Sequence, residues 1–429
     1  MPNSIGPFVQ VRLGDFAEID MGQSPSSSFV SDDSRRGSPF LQGNSDFGDK
    51  HPQARQWCTR PPKLSRTGDV LLSVRAPVGA INLSDQGYCI GRGLAAVRAP
   101  GLPPTLLANL LATCSSALRQ AAQGTTFEAV NKNDLLELTL PMPPAAESAV
   151  IAKVLDLHDT LIRATCSTRD KLRRVRAGLL HDLLTRGVDE NGELRRTPAD
   201  APRLYSPSAI GLIPEGWRAG TLESWLLDKP RNGYSPLQAG SFTGTYMLGL
   251  GCLRPNGFHP TQLKFAPASD PSVSMALLAD GDLLVSRANT RQLVGQAGVY
   301  RDIGAPCIYP DLMMRIRPTG ETTSEFLEMV LQSAGSRRQI HAAASGTSES
   351  MVKISAAVLR GLRIPYVPLP EQQRILRKMT AVSQVLAAEE RALAKALSFR
   401  TALADDLLTG RVRVTPLLAA AGPELEGVG

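Results

Sequence analysis

The feature that most constrains the fold of this chain is an internal repeat, in which the first half of the sequence is echoed in order by the second half. The Gly-Gln-Ser-Pro of residues 22–25 corresponds to the Gly-Tyr-Ser-Pro of residues 233–236. Likewise, Gly-Asp-Val-Leu-Leu-Ser-Val-Arg-Ala at 68–76 corresponds to Gly-Asp-Leu-Leu-Val-Ser-Arg-Ala at 281–288. This period is far longer than the roughly 20 to 50 residues of solenoid arrays. The repeat therefore indicates a tandem duplication of one whole domain with its following helix.

The correspondence continues to the end of each copy. The matching pairs are Cys-Ile at 89–90 and 307–308, Val-Arg-Ala-Pro at 97–100 and Ile-Arg-Pro at 316–318, Gly-Thr-Thr at 124–126 and Gly-Thr-Ser at 346–348, and Asp-Leu-Leu-Thr at 182–185 and 406–409. Between the last two pairs, both copies pass through a proline-containing strand end and then a long helical pattern.

Composition sets broad bounds on the protein class. A chain of 429 residues with 42% hydrophobic content can build two or three domains with substantial cores. No run of about eighteen apolar residues and no signal peptide is recognised, so we expect a cytoplasmic protein without membrane contact. The six cysteines are scattered without a C-x-x-C pair. This spacing argues against a zinc site and against a disulfide framework, and no metal or cofactor is expected in this chain.

The charge balance favours a polyanionic partner without identifying one. Lys and Arg number 47 against 40 Asp and Glu, which gives a formal net charge of +7. Excess positive charge makes nonspecific attraction to nucleic acid favourable and salt-dependent. Many basic proteins bind no DNA, so the charge alone does not establish a function.

Two kinds of sequence pattern alternate along the chain. Short Val-, Ile- and Leu-rich runs separated by Gly, Pro, Ser and Asn predict mixed α/β domains. Apolar residues at alternating spacings of three and four predict the heptad seam of a coiled coil. The predicted segments are a first globular domain at 1–144, a spacer helix at 145–186, an exposed linker at 187–213, a second globular domain at 214–368, a second spacer helix at 369–412 and a flexible tail at 413–429.

The two helical patterns are predicted to pair with each other. Each covers about 40 residues, so each helix would be about 60 Å long. Polar residues such as His158, Glu389 and Arg400 interrupt the seam and would weaken an isolated homodimer. The predicted fold is therefore mixed α/β (α+β), with two tandem domains joined by an antiparallel coiled coil and internal pseudo-two-fold symmetry. The alternative is two unrelated surface helices, each packed on its own domain.

A search for catalytic motifs finds no constellation that could perform chemistry. Residues 91–96 match G-x-G-x-x-A, but the second copy has no glycine there and no helical pattern follows. The phosphate-loop motif is absent, and the Pro-Pro pairs lack the preceding Asn, Asp or Ser of adenine-methylating loops. The five histidines have no ligand-spaced or triad-like partners. We therefore expect a non-catalytic protein.

The ordered, duplicated motifs resemble those of one known family. Each copy has a Gly-Asp-x-Leu-x-Ser-type strand, a Gly-Thr-Thr-like loop, a Pro-ended strand and a heptad helix, and Ile-Pro-Glu-Gly-Trp at 213–217 opens the second copy. This order is similar to that of the specificity subunit of type I restriction-modification systems, over nearly the whole chain.

The resemblance implies a division of labour. Each domain would be a target-recognition domain that reads one half of a bipartite, asymmetric DNA sequence. The paired helices would set the half-site spacing and dock two modification subunits, which are adenine methyltransferases and carry S-adenosylmethionine. Whether a restriction subunit (translocase and endonuclease) completes the assembly is left open.

Candidate DNA-binding residues are those of the recognition domains that can contact base edges or phosphates. They are Arg35, Arg36, Gln42, Asn44, Arg75 and Arg92 in the first copy, and Arg231, Asn232, Tyr234, Arg254, Asn256, Arg287, Asn289, Arg291 and Gln292 in the second. Arg75 and Arg287 follow the shared Gly-Asp strand, so we expect equivalent positions and a common role in phosphate anchoring or architecture. The unshared Asn289, Arg291 and Gln292 suit base discrimination. For each residue the alternative is a solvated surface side chain.

Two other functional classes stay open at this stage. One is a coiled-coil scaffold with duplicated protein-binding domains and no role in DNA recognition. The other is a nuclease or methyltransferase with an unrecognised motif. The basic run between Arg163 and Arg176 is interpreted as the solvated flank of the coiled coil, with a phosphate-facing stripe as its alternative.

Overall fold

The computed structural model describes residues 8–122, 129–346, 349 and 351–416. The loops at 124–126 and 347–348, which the repeat predicts to be equivalent, lie outside the described residues. The chain divides into two compact units. The first unit comprises Met1–Thr168 and Glu389–Gly429, and the second comprises Arg169–Ala388.

The α-helices of the described residues include two long ones that each span 41 residues. The helices are α1 (Pro104–Thr113), α2 (Ser115–Ala122), α3 (Lys132–Leu136), α4 (Ala145–Thr185), α5 (Ser324–Gln332), α6 (Ala334–Ala343), α7 (Ala356–Arg360) and α8 (Leu369–Thr409). The single helix expected near 106–120 is in fact α1 and α2. They separate at Cys114, whose N–H bonds to the carbonyl of Leu111, three residues back, and so tightens the turn.

The strands of the first unit form two four-stranded sheets and a pair. The strands are β1 (Val9–Arg12), β2 (Glu18–Met21), β3 (Val30–Ser31), β4 (Ser38–Leu41), β5 (Gln56–Cys58), β6 (Val70–Ser73), β7 (Ile81–Leu83), β8 (Cys89–Ile90), β9 (Leu94–Arg98) and β10 (Thr139–Met142). The sheet orders are β2-β9-β6-β7, β3-β5-β4-β8 and β1-β10. All pairings are antiparallel except that of β4 with β8.

The strands of the second unit repeat this plan and add short pairs. They are β11 (Tyr205–Ser208), β12 (Gly211–Pro214), β13 (Arg218–Thr221), β14 (Arg231–Asn232), β15 (Tyr246–Leu248), β16 (Leu253–Arg254), β17 (Gly257–Phe258), β18 (Leu263–Phe265), β19 (Leu283–Ser286), β20 (Ala288–Asn289), β21 (Ala297–Val299), β22 (Cys307–Ile308), β23 (Met313–Ile316), β24 (Val352–Lys353) and β25 (Arg363–Tyr366). Their sheets are β14-β23-β19-β21, β18-β15-β22, β13-β25, β11-β12, β16-β17 and β20-β24.

The sequence repeat is therefore a repeat of topology, which confirms the predicted fold class. The order β2-β9-β6-β7 reappears as β14-β23-β19-β21. The repeated Cys-Ile forms the parallel strand in each unit, because Cys89 pairs with Phe40 and Cys307 pairs with Tyr246. Strands β6 and β19 are buried along their whole length, which accounts for their continuous apolar sequence.

The core of each unit contains part of a long helix. In the first unit, Leu407 and Leu408 of α8 join the cluster built around Val70 and Leu110. In the second unit, Ile375 of α8 joins the corresponding cluster. The ends of the helices are thus anchored by apolar burial rather than by helix propensity alone.

The two long helices run antiparallel within each unit. In the first unit, Arg400 donates to both carboxylate oxygens of Asp159 at 2.8 and 3.0 Å, and the ring centroids of His158 and Phe399 are 5.1 Å apart. In the second unit, Nε of Arg176 donates to Oγ of Ser383 at 3.1 Å. Polar residues on the predicted seam therefore make contacts between the helices, as the pairing interpretation requires.

The segment 187–213 is folded, in contrast to the exposed linker that the sequence predicts. Val188 is fully buried and its N–H donates to Oε1 of Glu371 at 2.8 Å. Strands β11 and β12 form a hairpin that buries Tyr205 and Ile213. The Gly and Pro residues of this segment are typical of a linker. Its scattered apolar residues nevertheless bury enough surface to fix it to the second unit.

The start of the predicted flexible tail is also held in place. Nε of Arg413 donates to both carboxylate oxygens of Glu147 at 3.0 and 3.1 Å, and Val414 is buried in the first unit. The rest of that tail, residues 417–429, lies outside the described residues. Over the part of the chain that the structure describes, no helix combines the length and apolar character that a membrane span requires.

Candidate nucleic-acid interface

A polar cleft in the first unit collects candidate residues from separate loops. Its lining residues are Ser24, Gln42, Gly43, Asn44, Arg75, Ala76, Arg92 and Gly93. Four of the six residues that the sequence analysis selected in this copy, Gln42, Asn44, Arg75 and Arg92, therefore share one surface. Gln42, Arg75 and Arg92 are exposed and Asn44 is half-buried, so these side chains are accessible to a ligand.

The turn that carries Arg92 is fixed by close backbone packing. It connects β8 to β9 and is closed by a hydrogen bond from the N–H of Leu94 to the carbonyl of Gly91 at 3.0 Å. A side chain at Gly93 would bring its Cβ within 2.9 Å of the Gln42 carbonyl oxygen. The glycines of this G-x-G-x-x-A match are thus required by loop packing, and they do not open a helix as a dinucleotide site would.

The Gly-Gln-Ser-Pro motif lies directly beneath this turn. The N–H of Gly22 donates to the carbonyl of Leu94 at 2.8 Å, and a Cβ at Gly22 would lie 2.1 Å from the carbonyl oxygen of Gly91. Ser24 then accepts hydrogen bonds from the main-chain N–H and from Nε of Arg92, both at 3.3 Å. Ser24 was absent from the candidate residues, although its presence in the repeated motif was a usable signal.

Arg35 and Arg36 do not line the cleft. Nε of Arg35 donates to Asp33 at 3.0 Å, and Nε of Arg36 lies 3.6 Å from the same carboxylate. The hydrogen bonds from Arg35 hold the pKa of Asp33 below its usual value. A neighbouring depression is lined by Gln42 together with Arg55 and Gln56. Arg55 and Gln56 are polar residues of this surface that are not among the candidates predicted from the sequence.

The second unit builds the same turn with different side chains. The N–H of Met313 donates to the carbonyl of Pro310 at 3.0 Å and closes the turn before β23. Gly233 again approaches the turn closely, because a Cβ there would lie 2.0 Å from the Tyr309 carbonyl oxygen. The N–H of Asp311 donates to Oγ of Ser235 at 3.1 Å, as the N–H of Arg92 does to Ser24. Asp311, which was not a candidate, therefore occupies the position of Arg92.

The expected equivalence of Arg75 and Arg287 is wrong by one residue. The N–H of Arg287 donates to the carbonyl of Leu312, and the N–H of Val74 makes the matching bond to Gly93. Arg75 forms an isolated bridge with Ala129, in the place where Ala288 pairs with Lys353. Since neighbouring strand residues point to opposite faces, a shift of one residue gives Arg75 and Arg287 different environments.

Some candidates of the second unit lie near Asp311. Nη1 of Arg287 is 3.4 Å from the main-chain oxygen of Asp311. The hydroxyl of Tyr234, the neighbour of Ser235, donates to Oδ2 of Asp270 at 2.7 Å. This bond raises the pKa of Tyr234 and lowers the pKa of Asp270.

The remaining candidates of the second unit make contacts of their own on other loops. Arg231, in β14 with the exposed Asn232, lies 3.3 Å from Asp228. Arg254 donates to Oγ1 of Thr261 at 2.9 Å, in the hairpin that also carries the exposed Asn256.

A further loop carries the three residues that were predicted to discriminate bases. Nε of Arg291 donates to Glu349 at 2.7 Å. Asn289 caps its own turn by accepting from the N–H of Thr290 at 2.8 Å. The carbonyl of Gln292 accepts from Arg337 at 2.9 Å, which leaves its exposed side chain available to a ligand.

The His, Cys, Asp and Glu side chains of the described residues bear on metal binding and on thiol chemistry. No group of three or more His, Cys, Asp or Glu side chains within the described ranges could hold a metal ion. All six cysteines are free thiols. Burial raises the pKa of Cys89 and of Cys307 to about 12, so neither thiol is poised to act as a nucleophile.

Residues 6–173 match the family described as the type I restriction modification DNA specificity domain. This first part of the chain is therefore similar to the DNA specificity domain of type I restriction-modification systems. The matched residues include the cleft with Arg92 and most of α4. Beyond the matched residues, the second unit carries the duplicated topology described above. The family is a recognised non-catalytic component of restriction-modification systems.

Named relatives in two organisms are similar to this chain. The putative type I restriction enzyme MjaX specificity subunit of Methanocaldococcus jannaschii is 34% identical over 179 residues, which are 41% of this chain and 42% of the relative's own length. The MjaVIII specificity subunit of the same organism is 23% identical over 70% of this chain and 68% of its own. The EcoKI specificity subunit of Escherichia coli K12 is 25% identical over 67% of this chain and 60% of its own.

A solved structure shares the fold. The type I restriction-modification S subunit from M. genitalium superposes with a TM-score of 0.60, at 15% sequence identity, over 95% of this chain and 98% of its own. At that identity the likeness establishes the fold alone, with its tandem domains and long helices.

Proposed function

We propose that this chain is the DNA sequence-specificity subunit of a type I restriction-modification complex. Each domain reads one half of a bipartite, asymmetric duplex site, and the chain itself performs no catalysis. Two modification subunits dock on it and supply adenine methylation with S-adenosylmethionine. The complex acts in the cytoplasm, with or without a restriction subunit.

The observation that carries the proposal is the polar cleft of the first unit. Its exposed Gln42, Arg75 and Arg92 and the half-buried Asn44 are amide and guanidinium side chains, which match the hydrogen-bonding edges of adenine and guanine. The second unit repeats the same turn with a different side chain at its tip. A protein that recognises two different half-sites is expected to have this arrangement, in which two copies of one backbone scaffold present different side chains.

The long helices support a spacer and docking role. Each spans 41 residues, or about 60 Å, which exceeds the roughly 34 Å between half-sites one DNA turn apart. Their surfaces also expose large apolar side chains: Leu157, Leu161, Leu397 and Phe399 in the first unit, and Val175 and Val385 in the second. Exposed apolar residues on paired helices suit a protein partner better than DNA phosphates.

Selection from a randomised duplex DNA pool tests the proposal directly. The full chain, alone and with a modification subunit, is incubated with the pool, and the bound duplexes are sequenced. We expect enrichment of one motif with two defined halves separated by a fixed spacer, and affinity that falls as salt rises. The rival function, a protein scaffold without DNA recognition, predicts that no motif is enriched under either condition. Sequencing of methylated adenines in cells that express both subunits should return the same motif.

A further inference from the structure

The tips of the two equivalent turns carry opposite charges. Backbone hydrogen bonds align Gly91-Arg92-Gly93-Leu94 with Pro310-Asp311-Leu312-Met313. Both turns close with a bond between their first and last residues, and both begin a strand that accepts from the motif glycine, Gly22 or Gly233. In both, a serine of the Gly-x-Ser-Pro motif accepts from the N–H at the tip. The scaffold is thus conserved between the domains while a cation is replaced by an anion.

The side chains at both tips are oriented by equivalent serines of the repeated Gly-x-Ser-Pro motif, Ser24 and Ser235. Nε of Arg92 donates to Oγ of Ser24 at 3.3 Å. Oγ of Ser235 donates to Oδ1 of Asp311 at 2.5 Å. Arg92 and Asp311 are nevertheless exposed, so each retains hydrogen-bonding atoms directed at solvent. A side chain that is held at its base and open at its end loses little conformational entropy on binding.

A phosphate contact explains one tip but not the other. Arg92 could neutralise a DNA phosphate, whereas a carboxylate at the equivalent place would be repelled by it. Both residue types have a role at base edges, because arginine donates two hydrogen bonds to O6 and N7 of guanine and aspartate accepts from the N4 amino group of cytosine. Base reading is therefore the role that suits both tips of one scaffold.

We infer that residues 92 and 311 are the matched base-discriminating positions of the two domains, with Arg92 reading a guanine and Asp311 reading a cytosine. The inference rests on the proposed function and adds to it a defined residue and base class in each half-site. It also separates these tips from Arg75 and Arg287, which occupy different positions of the scaffold.

Two single substitutions of the full chain test the inference in the randomised duplex DNA pool. Gln and Asn pair with N6 and N7 of adenine. We therefore expect Arg92→Gln to change one guanine of one half-site to adenine, and Asp311→Asn to change one cytosine of the other half-site to adenine. The preference at each changed position should shift by roughly 5- to 150-fold, with the opposite half-site unaltered.

Control measurements keep the outcomes distinct. Arg12→Gln removes an exposed arginine that lies outside the cleft and is not a DNA-binding candidate, and it should leave the motif unchanged. Thermal unfolding of Arg92→Gln and Asp311→Asn should match the parent chain, because both residues are exposed. If Arg92→Gln weakens binding evenly for all sequences, or if both variants keep the parental motif, the inference is overturned while the proposed function stands. A parent chain that enriches no motif overturns both.

Discussion

Arg98 forms a two-pronged ion pair with Asp69, in which Nε and Nη2 of the guanidinium each lie 2.7 Å from a carboxylate oxygen. The same carboxylate accepts from the N–H of Arg66 at 2.7 Å, and its side chain is fully buried. In the second domain, Asp282 accepts from the N–H of Ala279 at 2.9 Å and makes one contact with Arg315 at 3.1 Å. The repeated Gly-Asp motif is thereby explained as architecture: its carboxylate closes a turn and fixes a neighbouring strand.

This pair predicts unequal stability losses in the two domains. Arg98→Ala leaves a buried carboxylate without its counter-charge, so we expect the free energy of unfolding of the first domain to fall by about 3–5 kcal/mol. Arg315→Ala is the matched control, and its effect should be smaller because the Asp282 side chain keeps some exposure. Urea unfolding with hydrogen exchange of β6 and β19 measures each loss. Equal losses would refute the architectural difference.

The contact between Glu147 and residues 413–415 predicts where the chain can be shortened. Removal of residues 417–429, which retains Arg413, Val414 and Thr415, is the matched control. Removal of residues 413–429 takes away Arg413, Val414 and Thr415, which all bond to the buried Glu147. We expect a loss of about 3 kcal/mol in the free energy of unfolding. Calorimetry of the two truncated chains compares them, and similar melting curves would contradict the role of Glu147.

The exposed ion pair of Arg291 and Glu349 predicts substitutions that change DNA binding without changing stability. Arg291→Ala should weaken DNA binding and relax only the second half-site, roughly 5-fold or more if the guanidinium contacts a base. Glu349→Ala frees the same guanidinium and removes a negative charge, so binding should tighten. Exposed pairs contribute little to stability, so both variants should melt like the parent. Titration of each variant with the selected duplex measures the affinities, and unchanged binding for Arg291→Ala removes it from the interface.

Glu328 predicts a pH dependence of the second domain. Burial raises its pKa to about 7, above the ordinary value of 4.5, with Gln332 donating to it at 3.1 Å. Between those values the unfolded chain loses a proton that the folded chain keeps, so stability should fall as pH rises from about 4.5 to about 7. Glu328→Gln should remove this decline, as urea unfolding across that range would show. A parallel decline in the variant would assign the effect to another group.

The paired helices predict a change of spacing without a change of bases. Deletion of one heptad from both α4 and α8 at matched levels shortens the pair by about 10 Å, or roughly three base pairs. The selected motif should keep its two halves and lose that much spacer. Deletion from α8 alone is the control, and it should lower stability because contacts such as Arg400 with Asp159 lose register. Altered half-sites in the double deletion would refute a spacer role.

The cleft shows how far residue type alone can identify a site. Gln42, Asn44, Arg75 and Arg92 were selected for their chemistry, and the fold brings them to one surface. Arg35 and Arg36 have the same chemistry and lie elsewhere beside Asp33. The sequence does not indicate Asp311, because its turn shares no residue with Gly91-Arg92-Gly93 although the backbone hydrogen bonds of the two turns are the same.

The duplication, the two long helices and the repeated glycine motifs are all recognisable from the sequence alone. These features depend on local periodicity or on residues that no side chain could replace, such as Gly22 and Gly233. Three features emerge only once the chain is folded: the register that aligns Arg287 with Val74, the folding of residues 187–213, and the equivalence of positions 92 and 311. Each of these depends on hydrogen bonds or burial between residues distant in the chain, and a shift of one residue in a strand reverses the face that a side chain presents.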